Sequence, residues 1–316
     1  MEIAVLDGYS MKDLDWGKLK AVGNVRFYDR TPLELLRERI GEAEIVLTNK
    51  VVLDEAILSQ CPSLRYIGVT ATGYNIVDVE AARKRGIVVT NVPAYGTESV
   101  SQFTMALLLE LCYHVGLHAE SVRQGEWIAS HDFCYWKAPL SLLTGKTLGI
   151  LGYGKIGKRV AALAQAFGMH VLVTTPHPNP DEAEAGIQFA AWEELLAKAD
   201  VISLHCPLTE KTSGIICRES IEKMKDGVWI LNVSRGPLVV EADLRDALLS
   251  GKVAMAACDV IGSEPMPPDS LLRDVPNLLV TPHIAWAADE ARKKLLEITI
   301  ENVLAFLTGN PVHVVS

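Results

Sequence analysis

The stretch GILGYGKIGKRVAALAQAFG, residues 149–168, constrains the fold of this chain more than any other. Gly152, Gly154 and Gly157 follow the apolar run TLGIL and open a segment with the period of a helix. Glycines at this spacing, between a strand and a helix, form a loop that cradles a phosphate. The first permits the tight turn, the second lets the backbone approach a pyrophosphate, and the third lets the helix pack closely on the strand. Amides near Lys155 and Ile156 would then face the anion, reinforced by the helix dipole. A packing loop without a ligand is the alternative, and the strand, loop and helix setting argues against it. Two features are odd. The loop begins only after nearly half of the 316 residues have passed. The place about 20 residues further on, where a carboxylate ordinarily holds the ribose hydroxyls, reads VLVTTPHP without an acid.

On both sides of residue 147, apolar runs of strand length alternate with helical segments. The first series is IAVLD, NVRFYD, EIVLTN, LRYIGVT and IVVTN. The second is TLGIL, HVLVT, DVISLH, VWILNVS, VAMAACDV and NLLVTPH, six strands with a helical segment between all but the last pair. Such alternation favours parallel sheets covered by helices. The helix after YDR shows a start signal, with Thr31 as cap, Pro32 in the first turn and Glu34 three residues on. Between the series, TESVSQFTMALLLELCYHVGLHAESVRQ is long enough for one crossing helix. After the sixth strand, ADEARKKLLEITIENVLAFLTG is a second long amphipathic helix with no third sheet to cover, so it is expected to return to the first series. The expected fold is α/β, with two Rossmann-like or flavodoxin-like domains built on parallel sheets. A dinucleotide-binding domain, residues 99–285, is inserted into a discontinuous domain of residues 1–98 and 286–316. Two crossings side by side would make a hinge over a cleft, and ligands favour such clefts.

Composition narrows the function classes. With 49% hydrophobic and 22% charged residues the chain is globular. A net charge of −9 gives no general attraction to nucleic acid or to anionic membrane. Cys61, Cys112, Cys134, Cys206, Cys217 and Cys258 form no C-x-x-C pair, and no histidines cluster at metal-ligand spacing. They are expected to be reduced and mostly buried, with no metal site. The first apolar run is too short for a signal peptide, and FTMALLLELCYHVGL is interrupted by Glu110 and His114. A soluble cytoplasmic protein is the expectation.

Three polar residues stand at or just beyond strand ends of the second series, where an open parallel sheet places its ligands. They are Arg235 in NVSRGPLV, Glu264 in DVIGSEP and His283 in TPHIAW. Singly, each has a plain structural explanation: a surface arginine at a turn, a solvated loop acid, a satisfied histidine. Together they suit hydride transfer to a carbonyl. That reaction needs a proton donor, a group that keeps the donor charged, and a cation for the negative oxygen. A histidine with an ordinary pKa near ~6.5 can give and take the proton. A carboxylate stabilises the imidazolium, and an arginine binds a 2-oxo acid through paired hydrogen bonds.

At these residues the chain resembles the D-isomer-specific 2-hydroxyacid dehydrogenases. The resemblance extends over essentially the whole chain, through TGYNIVDVEAARKRGIVVTNVPAYGTESVSQ, GKTLGILGYGKIGKRVA, HCPLTEKTSGII, ILNVSRGPLVVEADL, AACDVIGSEP and LLVTPHIAW. The order Arg, Glu, His, with gaps of 29 and 19 residues, is similar to the family's catalytic triad. The resemblance implies that His283 is the acid/base, Glu264 its partner and Arg235 the substrate anchor. It also implies that the backbone of Ala71, Thr72 and Gly73 cradles the substrate carboxylate, so that the first domain supplies half the substrate pocket. By the same resemblance, Asp259 binds the nicotinamide carboxamide, Pro207 lines the adenosine side, and Thr97 and Val100 face the cofactor. ATGYN, NVPAYGTESV and HDFCYWKAP resemble glycerate dehydrogenases, also called hydroxypyruvate reductases, in particular. Glu264 departs from the glutamine of formate dehydrogenases.

The implied activity is reversible hydride transfer between NAD(P)H and a small 2-oxo acid such as hydroxypyruvate or glyoxylate, giving the D-2-hydroxy acid. Relatives that prefer NAD carry an aspartate where Thr174 or Thr175 stands here, and no arginine replaces it. NAD is therefore expected with relaxed selectivity over NADP. Trp127, Phe133, Tyr135 and Trp136 crowd one segment without a clear period, either as core or as an anchor for a second subunit. The resemblance implies a homodimer joined through the cofactor domains, with Trp136 near a substrate pocket, its own or the partner's. His205 and Cys206, at a strand end, and His114, His118 and His131 are read as structural. The competing class is a binding protein, since corepressors similar to this family sense NAD with the same fold.

Overall fold

The five apolar runs of the first hundred residues become short strands, β1 (Glu2–Val5), β2 (Asn24–Phe27), β3 (Ile45–Thr48), β4 (Tyr66–Val69) and β5 (Val88–Thr90). The structure, a computed structural model, describes residues 1–178 and 186–316. The strands lie in the order β2-β1-β3-β4-β5, and every pairing is parallel. β3 and β4 are buried along their whole length, as strands covered on both faces must be. Between the strands run α1 (Gly17–Lys20), α2 (Leu36–Ile40), α3 (Glu55–Leu58) and α4 (Val79–Lys84). α3 and α4 begin at Asp54 and Asp78, whose carboxylates accept the Ile57 and Ala81 amides. The start signal at Thr31 is not realised. Its hydroxyl donates to the Leu6 carbonyl at the end of β1, no side chain caps the short turn that follows, and α2 starts only at Leu36.

The second sheet has seven strands rather than six: β6 (Thr147–Leu151), β7 (His170–Thr174), β8 (Ile187–Phe189), β9 (Val201–Leu204), β10 (Val228–Asn232), β11 (Val253–Cys258) and β12 (Leu278–Val280). Their order is β12-β11-β10-β9-β6-β7-β8, all parallel. The added strand, β8, is three residues long at the sheet edge, too short to show a period in the sequence.

Helices α5 (Thr97–Tyr113), α6 (Val115–Arg123), α7 (Lys155–Ala166), α8 (Trp192–Lys198), α9 (Arg218–Glu222) and α10 (Glu241–Ser250) accompany this sheet. Its side chains alternate between two cores. In β10, Trp229 and Leu231 join Leu108, Val160 and Val173 on one face, and Ile230 joins Leu195, Leu204 and Leu244 on the other. Each fully buried side chain of this kind contributes about 1.5–3 kcal/mol.

The single crossing helix read from the sequence is two helices. His114 takes the left-handed conformation, φ 47° and ψ 47°, and α5 and α6 meet at a 60° bend. α5 buries Leu107, Leu108, Leu111 and Cys112, whereas Val115, Leu117 and Val122 beyond the bend are exposed. Glu110 takes the Gly116 amide across the break. No single described helix is long and apolar enough to cross a membrane, and only this bent pair reaches that length and hydropathy jointly.

The last helix, α11 (Asp289–Leu307), packs on β4, with Phe306 and Tyr66 rings 4.8 Å apart. Beyond it, Val314 bridges Thr90 antiparallel and the Val315 amide donates to the Val89 carbonyl, so the chain end lies along β5. The residues accordingly divide into two compact units, Met1–Gly96 with Ala287–Ser316, and Thr97–Trp286.

Candidate active site

In an open parallel sheet, ligands lie beyond the carboxyl ends of the strands where the strand order reverses. In the second unit that point falls between β6 and β9, and the glycine loop sits on it. Gly152 has φ +98°, and a side-chain carbon there would come within 2.6 Å of the Cys206 amide nitrogen at the end of β9. A carbon on Gly157 would lie 2.2 Å from the Gly152 carbonyl oxygen, so helix and turn touch directly. At Gly154 the same carbon would meet nothing within 4 Å. Gly154 is also the N-cap of α7, and no side chain caps that end. The first-turn amides of Lys155, Ile156 and Gly157 therefore lack helical partners, and the turn at Gly154 before them is exposed with room for a ligand to approach. These residues fit the pyrophosphate of a dinucleotide.

The loops around it hold the other cofactor candidates. Thr174 ends β7, donates its hydroxyl to the Ala190 carbonyl and accepts the Gly152 amide on its own carbonyl. Thr175 follows, half-buried. Asp181, Glu182 and Glu184, the next carboxylates in the chain, lie outside the described residues. Pro207 is exposed after β9, its carbonyl held by the Thr212 hydroxyl. Thr97 and Val100 lie in the first turn of α5, and Val100 packs on the core of the second unit. His205 is packed against the buried Ser203, whose hydroxyl lies 2.7 Å from Nε2, and burial pushes its pKa down to about 4. The buried Cys206 thiol is pushed up to about 11 by the same cause, so neither is a ready acid, base or nucleophile at neutral pH. Of the six cysteines, all free, Cys134 is exposed and Cys217 half-buried. Among the described residues no cluster of side chains could hold a metal ion.

The structure brings His283 and Glu264 together. Nδ1 of His283 lies 2.7 Å from Oε2 of Glu264, while Oε1 accepts the Ile261 amide. An ionised carboxylate only accepts, so Nδ1 carries its hydrogen and Nε2 is left for proton exchange. Both side chains keep partial solvent access, 27% for His283 and 32% for Glu264. Arg235 is exposed on the loop after β10. Its guanidinium donates to the Ser234 carbonyl, and its own carbonyl is held by the buried Asn232 side chain. The next residue, Gly236, would place a side-chain carbon 1.9 Å from the Ile261 oxygen. Only glycine therefore lets the Arg235 loop lie against the loop that carries Glu264.

Sequence reasoning missed what sets the histidine. His283 has φ +55°, a strained conformation for a non-glycine residue. Its amide donates to the Asp259 carbonyl, and its carbonyl accepts from the Trp286 indole. The Asp259 carboxylate, 1% exposed, accepts the Thr281 hydroxyl and the Ile284 and Ala285 amides. Ser99 in α5 donates to the Ala285 carbonyl. The buried acid directly after β11, followed by a Thr-x-His turn, was the only signal available in the sequence.

In the first unit, Ala71, Thr72 and Gly73 follow β4. At this sheet's reversal point, between β1 and β3, the Asp7 carboxylate accepts the amides of Asn49, Lys50 and Val51. The Asn49 side chain then donates to the Thr70 carbonyl. Trp136 is 68% exposed and Phe133 89%.

Residues 105–285 match the model of the D-isomer specific 2-hydroxyacid dehydrogenase, NAD binding domain. The chain is 50% identical over 321 residues to a hydroxypyruvate reductase of Blautia hydrogenotrophica, covering all of both proteins. It is 40% identical over 287 residues to a glycerate dehydrogenase of Methylorubrum extorquens, covering 90% of this chain and 89% of that protein. A crystal structure of the TT0316 protein from Thermus thermophilus superimposes with a TM-score of 0.88 at 35% identity, covering both chains completely.

Proposed function

The chain belongs to the family of D-isomer specific 2-hydroxyacid dehydrogenases, and from that premise we propose that it reduces hydroxypyruvate to D-glycerate, with His283 as the proton donor. It is an NAD(P)-dependent oxidoreductase acting on 2-oxo acids. The observation that carries the residue assignment is the 2.7 Å contact between His283 Nδ1 and Glu264 Oε2. The cofactor, when bound, supplies the hydride that adds to C2. His283 gives the proton on Nε2 to the carbonyl oxygen, and Glu264 holds the opposite ring nitrogen and so fixes the orientation of the imidazole. Arg235 binds the oxo acid through paired hydrogen bonds. The amides of Thr72 and Gly73 take the carboxylate. Hydride and proton together convert the 2-oxo acid into the 2-hydroxy acid, and the reverse reaction needs His283 neutral.

The test is NADH oxidation with hydroxypyruvate, glyoxylate and pyruvate, alongside a His283→Ala control. Hydroxypyruvate should give the highest kcat/KM, and the control should lose a factor of about 10²–10⁴. Undiminished turnover in His283→Ala would remove the histidine from the chemistry. The relatives matched over all or about nine-tenths of their length are named as enzymes, so nothing favours the NAD-sensing alternative.

The same proposal covers cofactor choice and assembly. NAD binds with relaxed selectivity, because Thr174 and Thr175 neither repel a 2′-phosphate nor attract it. A thousandfold preference for NADH or NADPH would contradict that. The chain forms a homodimer through the segment of Trp127, Ile128, Phe133 and Trp136, all at least half exposed, an apolar cluster of the kind that marks interfaces. Phe133→Asp should shift the mass measured by light scattering from dimer to monomer, and Trp136→Ala should raise KM for the oxo acid. A dimer unaffected by Phe133→Asp would place the interface elsewhere.

A further inference from the structure

We infer that Asn91, anchored by Asn302 of α11, is the positioning residue that aims the carboxylate-binding amides of Thr72 and Gly73. The inference rests on the reading that residues 71–73 receive the substrate carboxylate. A trans peptide is planar, with its carbonyl and its N–H pointing in opposite directions. Whatever binds the carbonyls of Ala71 and Thr72 therefore fixes where the amides of Thr72 and Gly73 point. The segment after β5 takes both carbonyls. The Val92 amide donates to the Ala71 oxygen at 3.0 Å, and the Asn91 side chain donates to the Thr72 oxygen at 2.7 Å. The Thr72 hydroxyl returns a bond to the Val92 carbonyl. With both carbonyls drawn to residues 91–92, the two amides face the other way. Among the described residues no hydrogen bond takes them up. Two neighbouring donors held in a fixed direction match the two oxygens of a carboxylate.

Asn91 is itself held. The Asn302 side chain, 1% exposed, donates to the Asn91 carbonyl, and its oxygen faces Nδ1 of His313 at 2.9 Å. The His313 carbonyl accepts the Asn91 amide. A buried asparagine costs stability unless each of its groups is satisfied, and here one contact ends on Asn91 itself and the other on His313, whose carbonyl holds the Asn91 amide. Glycerate dehydrogenation and hydroxypyruvate reduction both need this grip on the acid. Asn91 contributes to it without touching the substrate.

The test compares Asn91→Ala, Asn91→Asp and Gly73→Pro, the last removing one cradle amide directly. Hydroxypyruvate kinetics, inhibition by oxamate, NADH affinity by fluorescence quenching and Tm are measured for each. Loss of one aimed donor should raise KM and the oxamate inhibition constant together in the Asn91 variants by about tenfold. kcat should stay within about twofold of the parent and NADH affinity should be unchanged, a split that general loosening of the fold does not produce. Asn91→Asp keeps the volume and serves if the alanine variant is too unstable. If Gly73→Pro raises both constants and the Asn91 variants do not, the cradle stands and the role of Asn91 is overturned. If none of the three raises them, residues 71–73 do not hold the carboxylate, and the inference falls with that reading.

Discussion

The Asp259 carboxylate accepts the Ala285 amide at 2.8 Å, two residues beyond His283, and so closes the turn that presents the imidazole. Three donors, the Thr281 hydroxyl and the Ile284 and Ala285 amides, converge on two oxygens that solvent barely reaches. An asparagine offers only one accepting oxygen, so in Asp259→Asn at least one buried N–H faces another donor. An unsatisfied buried donor costs about 1–3 kcal/mol. The variant should fold with a lower Tm and lose about tenfold or more in kcat, because the left-handed His283 backbone is no longer held. A variant with reduced stability and full kcat would show that the turn needs no such clamp.

Gly154 and Gly157 stand three residues apart in one loop, yet alanine should act oppositely at the two. A carbon at Gly157 lies 2.2 Å from the Gly152 oxygen, so Gly157→Ala must push helix from turn, at a cost of about 1–3 kcal/mol. A carbon at Gly154 meets nothing, and the backbone there, φ −78° and ψ −168°, suits alanine. Gly154→Ala should keep the parent Tm and weaken NADH binding about tenfold or more, since the methyl enters the space that the pyrophosphate approaches. Calorimetry for stability and fluorescence titration for NADH separate the two effects. Tight NADH binding by Gly154→Ala would move the pyrophosphate off this loop.

The pH dependence of turnover follows from proton direction. Reduction consumes the proton on His283 and should fall as pH rises, whereas oxidation needs the neutral ring and should rise. Glu264→Gln keeps the shape of the contact and removes the carboxylate that holds Nδ1 of His283. The kcat of reduction should then fall about tenfold or more. Parallel pH profiles for reduction and oxidation in the parent enzyme would be incompatible with His283 as the exchanging group.

Periodicity and the glycine spacing made the two parallel sheets legible, because strand burial and helix amphipathicity are written at single-residue resolution. The Arg235, Glu264 and His283 set was legible as chemistry at strand ends. What the sequence could not show were the groups whose role is to hold backbone. Asp259 was legible only as a cofactor contact implied by resemblance, yet three donors of the His283 turn converge on it, and Asn91 and Asn302 are separated by 211 residues. Local misreadings have the same origin. Thr31 has the type and spacing of a cap, but the carbonyl of Leu6, brought close only by the fold, takes its hydroxyl. The α5–α6 run has helical period throughout, and the bend at His114 reflects where the core ends rather than a breaker residue.

His205 should give the enzyme an acid-sensitive stability distinct from that of its carboxylates. Burial lowers its pKa to about 4 from the ordinary 6.5, so the unfolded chain binds this proton more readily than the folded one. The resulting stability is complete above pH ~6.5 and is lost as pH falls toward 4. Between pH 7.5 and 5 the loss amounts to about 1–2 kcal/mol, reduced from the full linkage value because the ring keeps a solvent edge. Carboxylates such as Asp200, held below the ordinary 3.8 although burial opposes it, because the Lys225 ammonium and the Thr147 amide bond to it, titrate at lower pH and leave this window clear. Urea denaturation of His205→Gln at both values should show a smaller difference than the parent, while stability at pH 7.5 falls slightly through loss of the Ser203 contact. An equal difference in parent and variant would assign the acid sensitivity to another group.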